Sequence, residues 1–218
     1  MATLKYGIIG HPVGHSLSPA MQGAAFKALG LDAEYRSYDV APEDLARFLS
    51  AAPGDGISGL NVTIPHKIRA HDYIASHGEL DQNEERLGAV NTISVAGSLL
   101  KGFNTDGPGF YRSLVEDLRF EPEGKSVFVL GAGGAARDIV MYLGNGPKRI
   151  YAADINKRAL EELMSHYRRY YGAGRLETVD ISRLAGPLGE SSLLVNATPV
   201  GMKATDGLPL DKIGRAHV

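Results

Sequence analysis

The 218-residue chain has no cysteine, which excludes disulfides, thiolate zinc sites and a cysteine nucleophile. It has no excess of one charge: 25 acidic against 23 basic side chains leave a formal net charge of -2. No run of five like charges occurs, so neither a nucleic-acid footprint nor a membrane-surface patch is expected. It has no apolar run near the roughly 20 residues that cross a bilayer. The opening MATLKYGIIG carries no basic segment leading into an apolar stretch, so a cytoplasmic location is expected. No fixed period repeats and no segment is of low complexity, which excludes a solenoid. A metal site is not expected: His11 and His15 lie in HPVGH, where Pro and Gly break helical i, i+4 spacing, and no carboxylate cluster flanks them or His66. What remains is a small-molecule partner; a monomer or homodimer is expected. With 44% hydrophobic and 22% charged residues, the chain suits one large or two modest domains.

Short strand-like runs alternate with helical patterns: LKYGII (4–9), EYRSYDV (34–40), ISGLNVTI (57–64), AVNTISV (89–95), SVFVLG (126–131), RIYAAD (149–154), LETVDI (176–181) and SLLVNAT (192–198). The alternation predicts an α/β chain with mostly parallel sheets. After the first run, Ser18 is the expected N-cap of a helix, with Pro19 at its first position and Gly30 ending it. Met21, Ala25, Ala28 and Leu29 share one face of that helix. PEDLARFLSAA (42–52) predicts another, with Pro and two acids at the positive end of its dipole. Tyr35 and Tyr38 read as core or rim aromatics.

VFVLGAGGAARDIVMYL (127–143) is a buried strand running into GAGGAA and then a helix. In that context Gly131 permits a tight turn, Gly133 lets backbone approach a pyrophosphate, and Ala136 allows close helix-on-strand packing. Free amides over Ala132, Gly134 and Ala135 at the helix start would face phosphates. RIYAAD then ends in Asp154, where an acid would grip an adenosine ribose. A carboxylate about 4 Å from a 2'-phosphate is repelled by roughly 4 kcal/mol at an effective dielectric of 20. Asp154 therefore argues for NAD, while Lys157 and Arg158 on the next turn keep NADP open. Asn196 and Thr198, in VNATPVGM, stand at a strand's C-terminal end where open α/β sheets bind ligands; the alternative is an Asx turn into a Pro loop. The fold expected is an N-terminal α/β substrate domain (1–106), a connecting helix and hinge (107–124) and a Rossmann-type NAD(P)-binding domain (125–212).

Three polar stretches end elements in the first half: GHSLSPA, NVTIPHK, and AVNT with GFNTDG. They suit a polyol carboxylate, with Ser16 and Ser18 donating to the carboxylate and Asn61, Asn91 and Asp106 holding hydroxyls. Ser18 alone reads equally as a helix cap, and Asn91 as a strand-end turn. GLNVTIPHKIRAHD (59–72) sets Lys67 just beyond a strand expected to be buried; alone, it also reads as a solvated lysine opening an exposed helix.

With these residues in view, the chain resembles the shikimate dehydrogenase family, which includes quinate/shikimate dehydrogenases. GHSLSPAMQ, GLNVTIPHK, GAVNT, GFNTDGPGF, VLGAGGAARD and NATPVGM occur in family order over residues 6–202. The resemblance implies a two-domain enzyme that reduces the 3-keto group of 3-dehydroshikimate with a nicotinamide cofactor. It assigns carboxylate binding to Ser16 and Ser18, substrate contacts to Asn61, Thr63 and Asn91, and catalysis to Lys67 with Asp106 as its paired acid. Hydride delivery to a ketone builds charge on oxygen, which Lys67 can protonate or pair. Two departures stand out. Family members continue into a helix that returns to the first domain with a substrate-binding Gln, which nothing here matches. Many NADP-preferring members also carry Asn-Arg-Thr where this chain has ADI (153–155). An NAD-dependent quinate/shikimate dehydrogenase is the alternative within the class, and a non-catalytic ligand-binding chain the alternative outside it. The closing IGRAHV (213–218) reads as a non-native tail on a shortened chain.

Overall fold

The computed structural model describes residues 3–81, 84–202 and 205–210; the expected tail at 213–218 lies outside them. The chain divides into two compact units, Met1–Ser113 and Leu114–Val218. In the first, the elements in order are β1 (Leu4–Gly10), α1 (Ser18–Ala28), β2 (Ala33–Asp39), α2 (Leu45–Ala51), β3 (Ile57–Val62), α3 (Lys67–His77), β4 (Glu79–Leu80), α4 (Glu84–Leu87), β5 (Thr92–Ala96), β6 (Leu99–Phe103) and α5 (Asp106–Arg112).

Its sheet runs β2-β1-β3-β5-β6-β4. The first three strands are parallel, as the alternation predicts, but β5 pairs antiparallel with both β3 and β6. The sequence reading lacks β6. LLKGF follows Gly97, whose φ of +60° closes a tight turn, so an antiparallel hairpin replaces a parallel crossover here. Ile9, Leu60, Val62 and Ile93 pack with Leu45, Leu49, Ala70 and Ile74 into one core. Leu60 and Val62 therefore face α2 and α3, and period-two alternation sends the intervening Asn61 to the opposite face.

On that opposite face lies α1, and two expectations for it are corrected. Its N-cap is Leu17, with Ser18 already helical; the hydroxyl that accepts at this end is Ser16 Oγ, from the Ser18 amide at 3.2 Å. A Ser two residues upstream makes this turn without being the cap. Met21 and Leu29 are exposed, and the helix instead seats Phe26 against Tyr6 and Tyr35, with ring centroids 5.5 and 6.5 Å apart. One large ring covers more of the sheet than the small, alanine-rich stripe. Gly30 does end the helix, at a φ of +64°.

The second unit contains β7 (Ser126–Leu130), α6 (Gly134–Leu143), β8 (Arg149–Ala153), α7 (Lys157–Tyr171), β9 (Leu176–Thr178), α8 (Ala185–Gly189) and β10 (Leu193–Asn196). Its strands are all parallel in the order β10-β7-β8-β9. Chain order reverses between β7 and β10, which makes the C-terminal ends of these two strands a topological switch point.

Candidate active site

Lys67 opens α3 and Asp106 opens α5, and their side chains meet: Nζ donates to Oδ2. The lysine side chain is 12% exposed and the aspartate 42%, so the ammonium is largely enclosed while its partner reaches solvent. Both ends are anchored by backbone. The Val90 amide donates to Lys67 O at 3.0 Å, and buried Asn104 accepts from the Asp106 amide at 2.9 Å while giving Nδ2 to Ala89 O. Asn104 is a positioning residue that the sequence reading passed over; its signal was an Asx turn two residues before an acid.

Asn91 is the hub. Its backbone amide donates to Phe103 O and its carbonyl accepts from Val62, so it is fixed between β3 and β6. Its side-chain Oδ1 accepts from the Thr105 amide and the Thr92 hydroxyl, at 3.0 and 2.9 Å. Asn61 accepts from Tyr35 at 2.7 Å. Thr63 follows β3, its amide bonded to Ile9 O, and Gly10 leaves the room its methyl occupies. The structure thus brings Lys67, Asp106, Asn91 and Asn61 onto one connected frame within the first unit. Thr92, Thr105 and Tyr35 join it without having been singled out as ligand contacts.

His66 is fully buried and its Nε2 contacts Val40 O at 2.7 Å. Burial holds its pKa below the usual histidine range. His11 bonds Asp39 at 2.6 Å, which holds that carboxyl low.

In the second unit the glycine loop makes the tight turn expected at Gly131, but the Ala132 amide, expected free to face phosphate, is instead spent on the Asp154 carboxylate. Gly131 has φ of +116°, and a Cβ there would lie 2.8 Å from Ala197 O, so the turn between β7 and the β10 loop admits only glycine. A Cβ at Gly133 would meet nothing within 4 Å: this glycine leaves open space where the helix amides of Gly134 and Ala135 emerge. Asp154 directly follows β8, with its carboxylate fixed by two backbone amides, Ala132 to Oδ2 at 2.7 Å and Asn156 to Oδ1 at 2.8 Å. A helix start beside an open glycine, which offers N–H donors, and an acid after the neighbouring strand, which accepts, are the groups a dinucleotide needs. Arg158 is exposed and bonded to Glu162. Asn196 and Thr198 are engaged with one another: Asn196 Oδ1 accepts from the Thr198 amide and hydroxyl, and its Nδ2 donates to Val200 O. The Asx turn is the arrangement present.

Residues 8–93 match the family model described as the shikimate dehydrogenase substrate binding domain. A shikimate dehydrogenase (NADP+) of Methanopyrus kandleri is 43% identical over 205 residues, covering 93% of this chain and 70% of the relative. The chain belongs to the shikimate dehydrogenase family. Among solved structures, the family's shikimate 5-dehydrogenase from Listeria monocytogenes, in complex with shikimate and NAD, superposes with a TM-score of 0.78 at 31% identity, over 92% of this chain and 70% of that one. The quinate dehydrogenase from Corynebacterium glutamicum, in complex with NAD, gives 0.82 at 30% identity, over 96% and 75%.

Proposed function

We propose that the chain catalyses the reversible NAD(P)-dependent reduction of 3-dehydroshikimate to shikimate, a step of aromatic amino acid biosynthesis. The observation that carries this reading is the contact of Lys67 with Asp106 beside a frame of oriented amides. The nicotinamide supplies the hydride when bound. Lys67 then protonates the oxygen at C3 as charge builds there, and takes the proton back in the oxidative direction. Asp106 holds the ammonium in place and neighbours the oxygen that changes charge. Ser16 and Ser18 donate to the ring carboxylate, while Thr63, Asn61 and Asn91 bind its hydroxyls. Residues 1–106 serve the substrate, 107–124 connect, and 125–212 serve the dinucleotide through Gly131, Gly133, Gly134, Ala135, Asp154 and Arg158, with Ala132 tethering Asp154 and the Asn196–Thr198 turn shaping the loop beside Gly131.

Between the two dinucleotides the reading favours NAD. Asp154 is tethered by two amides, which fix its carboxylate where a ribose hydroxyl would donate and a 2'-phosphate would be repelled. The same observation supports the second reading, an NAD-dependent quinate/shikimate dehydrogenase. The Lys67–Asp106 pair disfavours a non-catalytic binder. Small molecules rather than nucleic acid or membrane are the partners, in the cytoplasm, as monomer or homodimer. Among the described residues no helix is long and apolar enough to cross a membrane. The deciding experiment measures dinucleotide reduction by the full chain with shikimate and with quinate, each with NAD and with NADP. Turnover of shikimate is expected, faster with NAD; activity on neither acid sinks the assignment.

A further inference from the structure

Four side chains of the first unit form a single hydrogen-bonded run. Tyr35 Oη donates to Asn61 Oδ1 at 2.7 Å, Asn61 Nδ2 to Thr92 Oγ1 at 3.4 Å, and Thr92 Oγ1 to Asn91 Oδ1 at 2.9 Å. The direction of the run follows from its far end. Asn91 Oδ1 accepts the backbone amide of Thr105, and an amide N–H can only donate, so the Asn91 side chain has one orientation. Thr92 must then give its proton to Asn91 and can only accept from Asn61, which turns the Asn61 oxygen toward Tyr35. Both amide oxygens are thereby engaged inside the protein. Each NH2 group keeps a hydrogen beyond the one it gives to Thr92 Oγ1 or to Thr105 Oγ1.

Tyr35 closes the run from two strands away, across β1. Its ring is held by Phe26 of α1, which also packs on Tyr6. Gly59 makes the arrangement fit, because a Cβ there would stand 3.2 Å from the Tyr6 ring. Burial pushes the phenol up to about 12, so it remains a donor at any physiological pH. Tyr35, Asn61 and Thr92 also line, with Gln22 and Phe26, a cavity of about 330 Å³ behind the run, whose lining includes neither Lys67 nor Asp106.

We propose that Tyr35 is a positioning residue for substrate recognition: by occupying the Asn61 oxygen it locks Asn61 in the orientation that Asn91 relays through Thr92, so that Asn61 beside Asn91 presents N–H donors to the ligand. The site then selects an acceptor-rich face, the hydroxyl and carboxylate oxygens of a polyhydroxylated acid. This rests on the reading of Asn61 and Asn91 as substrate contacts.

The test is steady-state kinetics on the full chain with shikimate, comparing wild type, Tyr35→Phe, Thr92→Val, Thr92→Ser and the Tyr35→Phe/Thr92→Val double variant. Loss of one hydrogen bond in the run should raise the shikimate KM about three- to tenfold. The fall in kcat should be smaller and the dinucleotide KM unchanged. Thr92→Ser should keep the wild-type KM, and the double variant should be no worse than the worse single, because both break the same run. An unchanged shikimate KM in Tyr35→Phe, or effects that multiply in the double variant, overturn the inference while the activity stands. A wild type that does not turn over shikimate removes the substrate reading, and the inference with it. Should Tyr35→Phe fail to fold by thermal melting, Thr92→Val against Thr92→Ser decides: equal KM values reject the run.

Discussion

In the first unit the polar groups beyond the strands are side chains held largely by other side chains, Lys67 by Asp106 and Asn91 by the hydroxyls of Thr92 and Thr105. In the second they are backbone amides held by glycine geometry at Gly131 and by one carboxylate, Asp154, that reaches back to the loop. The first arrangement can lose its chemistry and keep its fold, since each hydroxyl or amine is a terminal group on an intact frame. The second cannot be separated so cleanly, because the atoms that would bind phosphate are the chain itself.

Substitutions that remove one component from each unit sharpen the contrast. The largest effect is expected for Lys67→Ala: kcat should fall by about 10²- to 10⁴-fold, the range for a positioned acid, with little change in melting temperature. Near-wild-type kcat would take Lys67 out of the chemistry. Next comes Gly131→Ala, which forces a side chain into a left-handed φ and against Ala197 O; a loss of about 1–3 kcal/mol in urea unfolding is expected. Gly133→Ala, facing open space, should melt normally and instead raise the dinucleotide KM. If both glycine variants melt alike, the division between fold and ligand within this loop is wrong.

Smaller still is Asp154→Asn, which removes a charge and leaves one oxygen to serve the two backbone amides. The ratio of kcat/KM with NADP to that with NAD should rise by about tenfold, a shift of about 1.4 kcal/mol that is well within one partly screened charge pair. An unmoved ratio refutes the role given to Asp154. The smallest effect concerns His66. Burial lowers its folded pKa below the unfolded value near 6.5, so as pH falls below about 6.5 the unfolded chain takes up the proton first. Stability should therefore decline with acidity by less than about 1.4 kcal/mol per pH unit from this group. His66→Gln, unfolded in urea at pH 7.5 and 5.5, should show a shallower decline; an equally steep one assigns it elsewhere.

How far the sequence spoke follows the same division. The glycine loop was legible because its demands are local: a φ and a close approach at Gly131 are written into the residue itself. Lys67 and Asp106 were legible as members of ordered motifs. The cross-strand partners were not. Tyr35 and Asn61 are 26 positions apart and Asn61 and Thr92 31, and only strand register, with Asn61 opposite Thr92, brings them together. The antiparallel turn at Gly97 was legible but passed over: Gly-Ser between two apolar runs, with too few residues for a crossover, marks a hairpin. Phe26 was passed over for a stripe of smaller residues because helical periodicity counts apolar positions without weighing the area each covers. Asn196 and Thr198 show the opposite limit, a local turn chemistry that the sequence offered as one of two readings.

The hairpin of β5 and β6 pairs Thr92 with Phe103 at its root and Ala96 with Leu99 at its tip. It acts as a folded ruler whose two ends lie side by side. Lengthening both arms in equal steps carries the solvent-exposed tip outward while the root, and with it Asn91 and Thr105, stays put. Natural drift or a grafted reporter can therefore act at Gly97 and Ser98 without disturbing the chemistry at the other end.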